Sequence, residues 1–261
     1  MTEPPIKHIT INSQKVAHAV VGTGDPVLLL HGWGANLRLL WPLGEQLAEH
    51  GFRCYMPDLP GFGESDPPPR TWTIYDYAKF TLDYMHSQGL ERAHLFGHSF
   101  GGRISIVLGA QHTERLHKIV LCDAAGVREE TPWLQRLSRQ IYRTLSPDDA
   151  NSPLARALQK ARNAYVQRVG SEDYLNAGVL KETFVAVVEE DLLPLAPQIT
   201  RPTLLLWGAN DEATPLWQAQ KLEAAIPDAG LVVFQNAGHY SYLDALPDAV
   251  RVIDYFFKND E

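Results

Sequence analysis

The sequence has little of what a disulfide-stabilised, zinc-binding or membrane-spanning protein requires. Cysteine occurs only twice among 261 residues, and Cys54 and Cys122 each lie in a short apolar segment typical of a buried strand. Two thiols provide neither a disulfide scaffold nor a zinc-type spacing. No uninterrupted apolar run approaches the roughly 20 residues that a membrane-spanning helix needs. We therefore expect a soluble protein without a disulfide framework, a metal site or a membrane span.

Positive charge is also in short supply. The chain has 23 lysine and arginine residues against 31 aspartate and glutamate residues, which gives a formal net charge of -8 at pH 7. A phosphate backbone would need a basic surface, so we expect no nucleic-acid partner. The first 25 residues lack a basic region followed by an apolar run and a small-residue cleavage site. Export is therefore not indicated, and we expect a cytoplasmic location.

Short apolar segments rich in Val, Ile and Leu recur along the chain, several of them with glycine or proline at their borders. This pattern indicates strands that are buried on both faces of a parallel sheet. An antiparallel hairpin is predicted before them, with its turn at residues 12–14. The predicted strands cover residues 7–12, 15–21, 27–30, 53–56, 93–96, 118–122, 203–207 and 231–234. Segments of helical period separate them, and one of these begins after a predicted cap at Thr73.

Strand–helix–strand connections of this length close right-handedly onto a parallel sheet, which predicts a doubly wound α/β fold with helices on both faces. One interval interrupts the alternation, because residues 127–197 show helical patterning without a clear strand. A chain of this length favours one large domain with an insertion over two equal domains. We therefore predict a core domain of residues 1–126 and 198–261 and a helical cap of residues 127–197.

A glycine-bounded serine joins a predicted strand to a predicted helix, in the sequence Gly97-His98-Ser99-Phe100-Gly101. Such a turn needs glycine on both sides, because the backbone reverses so tightly that a Cβ atom would collide with the neighbouring strand or helix. The serine hydroxyl is then exposed at the edge of the sheet. The N-terminus of the next helix points at the same place and favours negative charge there. This context predicts a nucleophilic Ser99.

A serine nucleophile needs a base, and the base needs an orienting carboxylate. Among ten histidines, His239 directly follows the last predicted strand, so it lies at the sheet edge where the loops converge. Asp211, just beyond another predicted strand, is the favoured carboxylate at the same edge. Asp123 and Glu212 stay open as alternatives. His98 is expected to point to the other side of the serine turn as a packing residue.

Two backbone N–H donors near the serine are needed to bind the oxygen that becomes negatively charged during acyl transfer. The N–H of Phe100, immediately after the serine, is expected to be the first donor. The second is expected from the loop His31-Gly32-Trp33-Gly34, where the N–H of Trp33 is favoured. The indole of Trp33 can pack at the same time, because the donor belongs to the main chain.

Five segments, in this order, resemble motifs of the α/β-hydrolase superfamily. They are His31-Gly32-Trp33-Gly34, Asp58-Leu59-Pro60-Gly61-Phe62-Gly63-Glu64-Ser65, Gly97-His98-Ser99-Phe100-Gly101-Gly102, Trp207-Gly208-Ala209-Asn210-Asp211 and Gly238-His239. The resemblance covers nearly the whole chain. It implies a mostly parallel eight-stranded sheet with helices on both faces, a helical cap after the sixth strand, and the site residues given above. Because position 99 is serine, members with an aspartate nucleophile, the epoxide hydrolases and haloalkane dehalogenases, fit less well.

The expected reaction is hydrolysis of a small, largely apolar carboxylic ester by water, with no cofactor and no metal. The cap-bearing carboxylesterases, C–C bond hydrolases and cofactor-free perhydrolases share these motifs, so the last two stay open as alternatives. A ligand receptor of the same fold, with slow or single turnover, is the alternative of another class. The sequence does not determine the oligomeric state.

Aromatic residues in the insertion and after the acid are candidates for an apolar substrate pocket. They are Trp133, Tyr142, Tyr165 and Trp217. One stretch of the insertion, residues 136–168, carries an excess of positive charge, because only two acids, Asp148 and Asp149, accompany seven basic residues: Arg136, Arg139, Arg143, Arg156, Lys160, Arg162 and Arg168. These residues either keep a helical surface solvated or attract an anionic substrate or a lipid surface.

Overall fold

The computed structural model describes residues 3–128 and 177–259, and its strands form one eight-stranded sheet. The strand order is β1-β2-β4-β3-β5-β6-β7-β8, in which β2 pairs antiparallel with β1 and with β4 and the other neighbours are parallel. The strands are β1 (Lys7–Ile11), β2 (Gln14–Gly22), β3 (Asp25–Leu30), β4 (Phe52–Pro57), β5 (Ala93–His98), β6 (Leu116–Cys122), β7 (Thr203–Gly208) and β8 (Ala229–Phe234). All eight predicted strands are confirmed, each with small shifts at its ends.

Helices connect the strands, and two of the described ones have a side-chain cap at the N-terminus, Asn36 or Thr73. The described helices are α1 (Leu37–Glu49), α2 (Ile74–Ser87), α3 (Phe100–Gln111), α4 (Lys181–Val188), α5 (Leu216–Ala225), α6 (Ser241–Asp244) and α7 (Leu246–Lys258), with 3-10 turns at Thr113–Arg115, Gly178–Leu180 and Leu193–Gln198. The predicted cap Thr73 accepts a hydrogen bond from the Asp76 amide, and the Asp76 carboxylate accepts one in return. In the part of the chain described here, no helix is long and apolar enough to cross a bilayer.

Two apolar cores lie on opposite faces of the sheet. Successive side chains of a strand point to opposite faces, so Leu28 and Leu30 belong to the core that includes α2, α3 and α5, whereas Val27 and Leu29 belong to the core that includes α1 and α7. A strand covered in this way is apolar at every position, and that continuous run is what the sequence displays. The predicted α/β fold with helices on both faces is therefore confirmed.

The chain divides into two compact units, one of residues 1–127 and 179–261 and the other of residues 128–178. Residues 179–197, which we expected to belong to the cap, therefore belong to the same unit as the sheet. The cap role of the remaining insertion stays a prediction, because nearly all of it lies outside the described residues.

Buried polar contacts explain why α4 belongs with the sheet. The guanidinium of Arg103, a buried residue of α3, donates to the backbone carbonyls of Val187 and Glu190 at the end of α4. A cation is favourable at this end of a helix because the last carbonyls have no partner within the helix. The Tyr75 hydroxyl of α2 donates to the Glu190 carboxylate at 3.0 Å. These contacts connect distant parts of the sequence, so helical periodicity alone could not reveal them.

Candidate active site

The candidate residues reach one another because they follow parallel strands. Ser99 directly follows β5, Asp211 lies just beyond β7, and His239 lies just beyond β8. The carboxyl ends of parallel strands open on the same edge of the sheet, so loops far apart in the sequence meet there.

The turn at Ser99 has a strained backbone. Ser99 has φ 51° and ψ -106°, a conformation that L residues other than glycine rarely adopt. A Cβ atom at Gly97 would lie 2.3 Å from Ser105 Oγ, and one at Gly101 would lie 2.2 Å from the carbonyl oxygen of Leu30. Both positions therefore need glycine, because the strand and the helix approach without room for a side chain.

Ser99, His239 and Asp211 form a continuous hydrogen-bonded sequence. Ser99 Oγ lies 3.0 Å from His239 Nε2, and His239 Nδ1 lies 2.9 Å from Asp211 Oδ2. A carboxylate only accepts hydrogen bonds, so Nδ1 carries the ring proton and Nε2 is left to accept the serine proton. The Ser99 and His239 side chains are half-buried, whereas the Asp211 carboxylate is fully buried.

The Asp211 carboxylate is ionised despite its burial. Burial alone would raise the pKa of Asp211, but hydrogen bonds from His239 and Thr214 hold that pKa below its ordinary value. The Thr214 hydroxyl donates to Asp211 Oδ2 at 2.6 Å, while the amides of Ala213 and Thr214 donate to Oδ1 at 2.8 and 2.9 Å. Thr214 was missed by sequence reasoning, since a threonine three residues after an acid is not a distinctive signal.

The two alternative carboxylates have different surroundings. Glu212 is exposed. Asp123 is fully buried, and its carboxylate accepts the amides of Gly208 and Ser241, each at 2.9 Å. Neither is the hydrogen-bond partner of His239 Nδ1, so the structure brings the favoured acid, Asp211, to the ring and not these two.

The loop after β3 lies against the serine turn. A Cβ atom at Gly32 would be 3.4 Å from Ser99 Cβ, and the Gly101 amide donates to the His31 carbonyl at 3.1 Å. The Trp33 and Phe100 rings pack edge to face with centroids 5.2 Å apart. The Phe100 amide is the first of α3 and has no carbonyl partner within that helix. The residues of the two predicted N–H donors, Phe100 and Trp33, therefore pack against each other, and Phe100 directly follows Ser99.

We expected His98 only to pack, but its ring also makes a hydrogen bond. Its Nε2 lies 2.7 Å from the backbone carbonyl of His239, so the ring contacts the histidine loop directly. Burial lowers the pKa of His98 to about 3, and the neighbouring His239 contributes to the same direction. A neutral ring that donates from Nε2 thus fixes the backbone that carries His239. A polar residue at the end of an apolar strand was the signal for this contact.

A cluster of aromatic side chains stands beside Ser99. The Trp33 ring contacts Phe62, Phe100 and Phe184 with centroids 4.8, 5.2 and 5.0 Å apart. Phe184 belongs to α4, which the sequence assigned to the cap, so this apolar wall was missed. Of the predicted pocket residues, Trp217 lies on α5, packs partly on the core and has Lys221 Nζ 5.3 Å from its ring centroid. The other three predicted pocket residues, Trp133, Tyr142 and Tyr165, lie outside the described residues.

Residues 3–128 and 177–259 contain no group of three or more His, Cys, Asp or Glu side chains that could hold a metal ion. The buried thiols of Cys54 and Cys122 have their pKa raised, chiefly by burial. The groups that the structure brings together at this edge of the sheet are a serine, an imidazole and a carboxylate.

Comparison with known proteins finds one matching family and several similar hydrolases. The family described as the alpha/beta hydrolase fold matches residues 25–246. Lipase 1 of Psychrobacter immobilis is 28% identical over 93% of this chain and 81% of its own length. The 2-hydroxy-6-oxo-6-phenylhexa-2,4-dienoate hydrolase of Burkholderia cepacia is 27% identical over 90% of both chains. A solved esterase of Exiguobacterium antarcticum is 22% identical, covers 97% of this chain and 99% of its own, and superimposes with a TM-score of 0.75.

The chain belongs to the α/β-hydrolase family, as the resemblance of its motifs implied. Its relatives support a hydrolase activity.

The tight turn at Ser99 can be tested with a glycine pair. Gly97→Ala should lower the free energy of unfolding by about 1–3 kcal/mol, because the new methyl group overlaps Ser105 and the Gly101 backbone. Gly230→Ala is the matched control: Gly230 lies in β8 with no atom within 4 Å of an added Cβ, so it should unfold like the wild type or later. Urea unfolding measures both. Equal stability of the two variants would contradict the overlap.

The burial of neutral His98 predicts a pH dependence of stability. Its folded pKa of about 3 lies below the unfolded value of 6.5, so the unfolded state binds an extra proton between these pH values. This group alone should therefore remove up to about 1.4 kcal/mol of stability per pH unit as the pH falls through that window. His98→Gln should lose stability less steeply between pH 6.5 and 4.5 in urea titrations. Parallel profiles for variant and wild type would refute the assignment.

Proposed function

We propose that this chain is a serine hydrolase that cleaves small, largely apolar carboxylic esters through an acyl-enzyme. The observation that carries the proposal is the hydrogen-bonded sequence from Ser99 Oγ through His239 to Asp211, with separations of 3.0 and 2.9 Å. The lipase and the esterase among the similar proteins support the same class of substrate.

In the first half-reaction, His239 Nε2 takes the proton of Ser99 as its Oγ attacks the ester carbonyl carbon. Asp211 stabilises the imidazolium that forms and keeps the ring in the required orientation. The N–H groups of Phe100 and Trp33 donate to the carbonyl oxygen as it becomes negatively charged. Collapse of the tetrahedral intermediate breaks the ester C–O bond, and the alcohol leaves with the proton from Nε2.

In the second half-reaction, a water molecule takes the place of the alcohol. His239 Nε2 accepts a proton from this water as its oxygen attacks the acyl carbon, and the same amides stabilise the second tetrahedral intermediate. The bond between the acyl carbon and Ser99 Oγ then breaks. The serine regains its proton, and the carboxylic acid is released.

The surroundings of Ser99 favour an apolar substrate. The rings of Trp33, Phe62, Phe100 and Phe184 form a continuous aromatic wall, in which Phe100 is the residue next to the serine. Such a wall excludes water and binds hydrocarbon. Trp217 and the aromatic residues of the insertion, Trp133, Tyr142 and Tyr165, stay candidates for the remainder of the pocket.

Hydrolysis of a C–C bond beside a ketone is the second candidate, and the similarity to the Burkholderia cepacia dienoate hydrolase favours it. A dienoate is an anion, so a site for it benefits from a cation near the serine. Arg103 is the buried arginine on the helix that follows Ser99, and its guanidinium donates to two backbone carbonyls of the α4 segment. The described part of the site, residues 3–128 and 177–259, therefore favours an uncharged ester, whereas an anionic substrate would depend on the basic residues of the insertion.

Substitution of the nucleophile tests the mechanism. Ser99→Ala should lower ester hydrolysis by about 10⁴-fold or more, because the base then has no hydroxyl to activate. A fluorophosphonate should label the wild type at Ser99, which peptide mass spectrometry locates, and should not label the variant. Circular dichroism checks that the variant is folded. Most of the ester hydrolysis surviving in Ser99→Ala would overturn the proposal.

The substrate class is tested by a series of p-nitrophenyl esters from acetate to long acyl chains, assayed beside a dienoate ketone. We expect steady release of p-nitrophenol, with the highest kcat/KM for short and medium chains, and little cleavage of the ketone. A single burst without further release would indicate a receptor instead. Preferential cleavage of the ketone would indicate a C–C bond hydrolase.

A further inference from the structure

Asp123 connects two loops that carry different members of the proposed site. It follows β6, which lies between β5 and β7 in the sheet. Its Oδ1 accepts the Gly208 amide and its Oδ2 accepts the Ser241 amide, each at 2.9 Å. Gly208 is the last residue of β7 and leads into Asp211, while Ser241 closely follows His239. One carboxylate therefore bridges the start of the acid loop and the end of the histidine loop.

The backbone of Asp123 reaches the same loops. Its amide donates to the Leu206 carbonyl of β7 at 2.9 Å. Its carbonyl lies 3.0 Å from the hydroxyl of Thr214, and that hydroxyl lies 2.6 Å from Asp211 Oδ2. Both the side chain and the main chain of Asp123 thus contact the segment that holds Asp211.

The burial and the backbone conformation of Asp123 both cost free energy of folding. Asp123 is fully buried, and the described residues provide no cationic partner for its carboxylate. Its φ of 45° is the left-handed conformation that favours glycine. Burial is the main cause that raises the pKa of Asp123 to about 6, against hydrogen bonds from Ser241 and Gly208 that lower it. Asn could satisfy one of the two amides, but only a carboxylate presents two oxygens that both accept.

We propose that Asp123 is a positioning residue for the reaction at Ser99: its carboxylate holds the acid loop and the histidine loop at the separation that the Ser99–His239–Asp211 hydrogen bonds require. This inference rests on the proposed function. The ring of His239 must satisfy Ser99 and Asp211 at once, so a relative shift of the two loops lengthens at least one of the two hydrogen bonds. A misplacement of about 1 Å at a reacting group can cost about 100-fold in rate.

The test substitutes Asp123→Asn. Asp123→Ala would leave two buried amides unpaired, whereas asparagine keeps the shape and removes the buried charge. Its NH₂ group, however, faces one of the two amide N–H groups, so one connection is replaced by two opposed donors. We expect kcat for a p-nitrophenyl ester and the rate of Ser99 labelling by a fluorophosphonate to fall about 10- to 100-fold, with KM within about twofold of the wild type.

Asp76 offers a control. Its carboxylate accepts the amide and the hydroxyl of Thr73, each at 2.8 Å, at the start of α2. Neither donor belongs to a loop with Ser99, His239, Asp211 or Trp33. Asp76→Asn should therefore lower the urea midpoint without changing kcat by more than about twofold.

Three outcomes separate the possibilities. A selective loss of kcat and labelling rate in Asp123→Asn, with the variant folded by circular dichroism, supports the positioning role. Labelling of Asp123→Asn at the wild-type rate overturns it, and so does an equal loss of kcat in Asp76→Asn, because the effect would then be general destabilisation. If the wild type itself is not labelled at Ser99, the proposed function fails and this inference fails with it.

Discussion

The strained turn at Ser99 is the constraint on which the rest of the site depends. Ser99 has a positive φ at a turn so tight that neither Gly97 nor Gly101 has room for a side chain. The cost of this conformation is offset by the buried apolar strands and helices on both sides. In return the hydroxyl projects beyond the sheet edge, within 3.0 Å of His239 Nε2.

Two buried carboxylates at this edge differ in their partners and therefore in their electrostatics. Asp211 accepts from His239 and Thr214, and these hydrogen bonds hold its pKa low although it is buried. Asp123 accepts hydrogen bonds from Ser241 and from the Gly208 amide, but burial outweighs them and raises its pKa. Asp211 accepts hydrogen bonds on both oxygens from an imidazole, a hydroxyl and two amides, and these outweigh its burial, so the environment alone gives two identical side chains different pKa values.

Secondary structure was readable because burial on both faces of a sheet makes a strand uniformly apolar. β3, β5, β6 and β7 each carry such a run, and Thr73 marks the start of α2 as expected. Sequence patterns did not indicate that α4 belongs to the same compact unit as the sheet. Its helical period is ordinary, and its membership of the sheet unit follows from Arg103, 84 residues earlier in the chain, which donates to Val187. Sequence patterns report local burial, whereas such a contact depends on the packed chain.

The sequence by itself determined the order of the elements, the glycine-bounded serine and the choice of His239 and Asp211, because each follows a strand and parallel strands open on one edge. Only the tertiary structure decided what holds these side chains in register. His98 contacts the carbonyl of His239, and Thr214 donates to the carboxylate of Asp211. Asp123 accepts amides from two loops. These are single hydrogen bonds between residues distant in sequence or without a distinctive pattern, so their partners exist only once the sheet has formed.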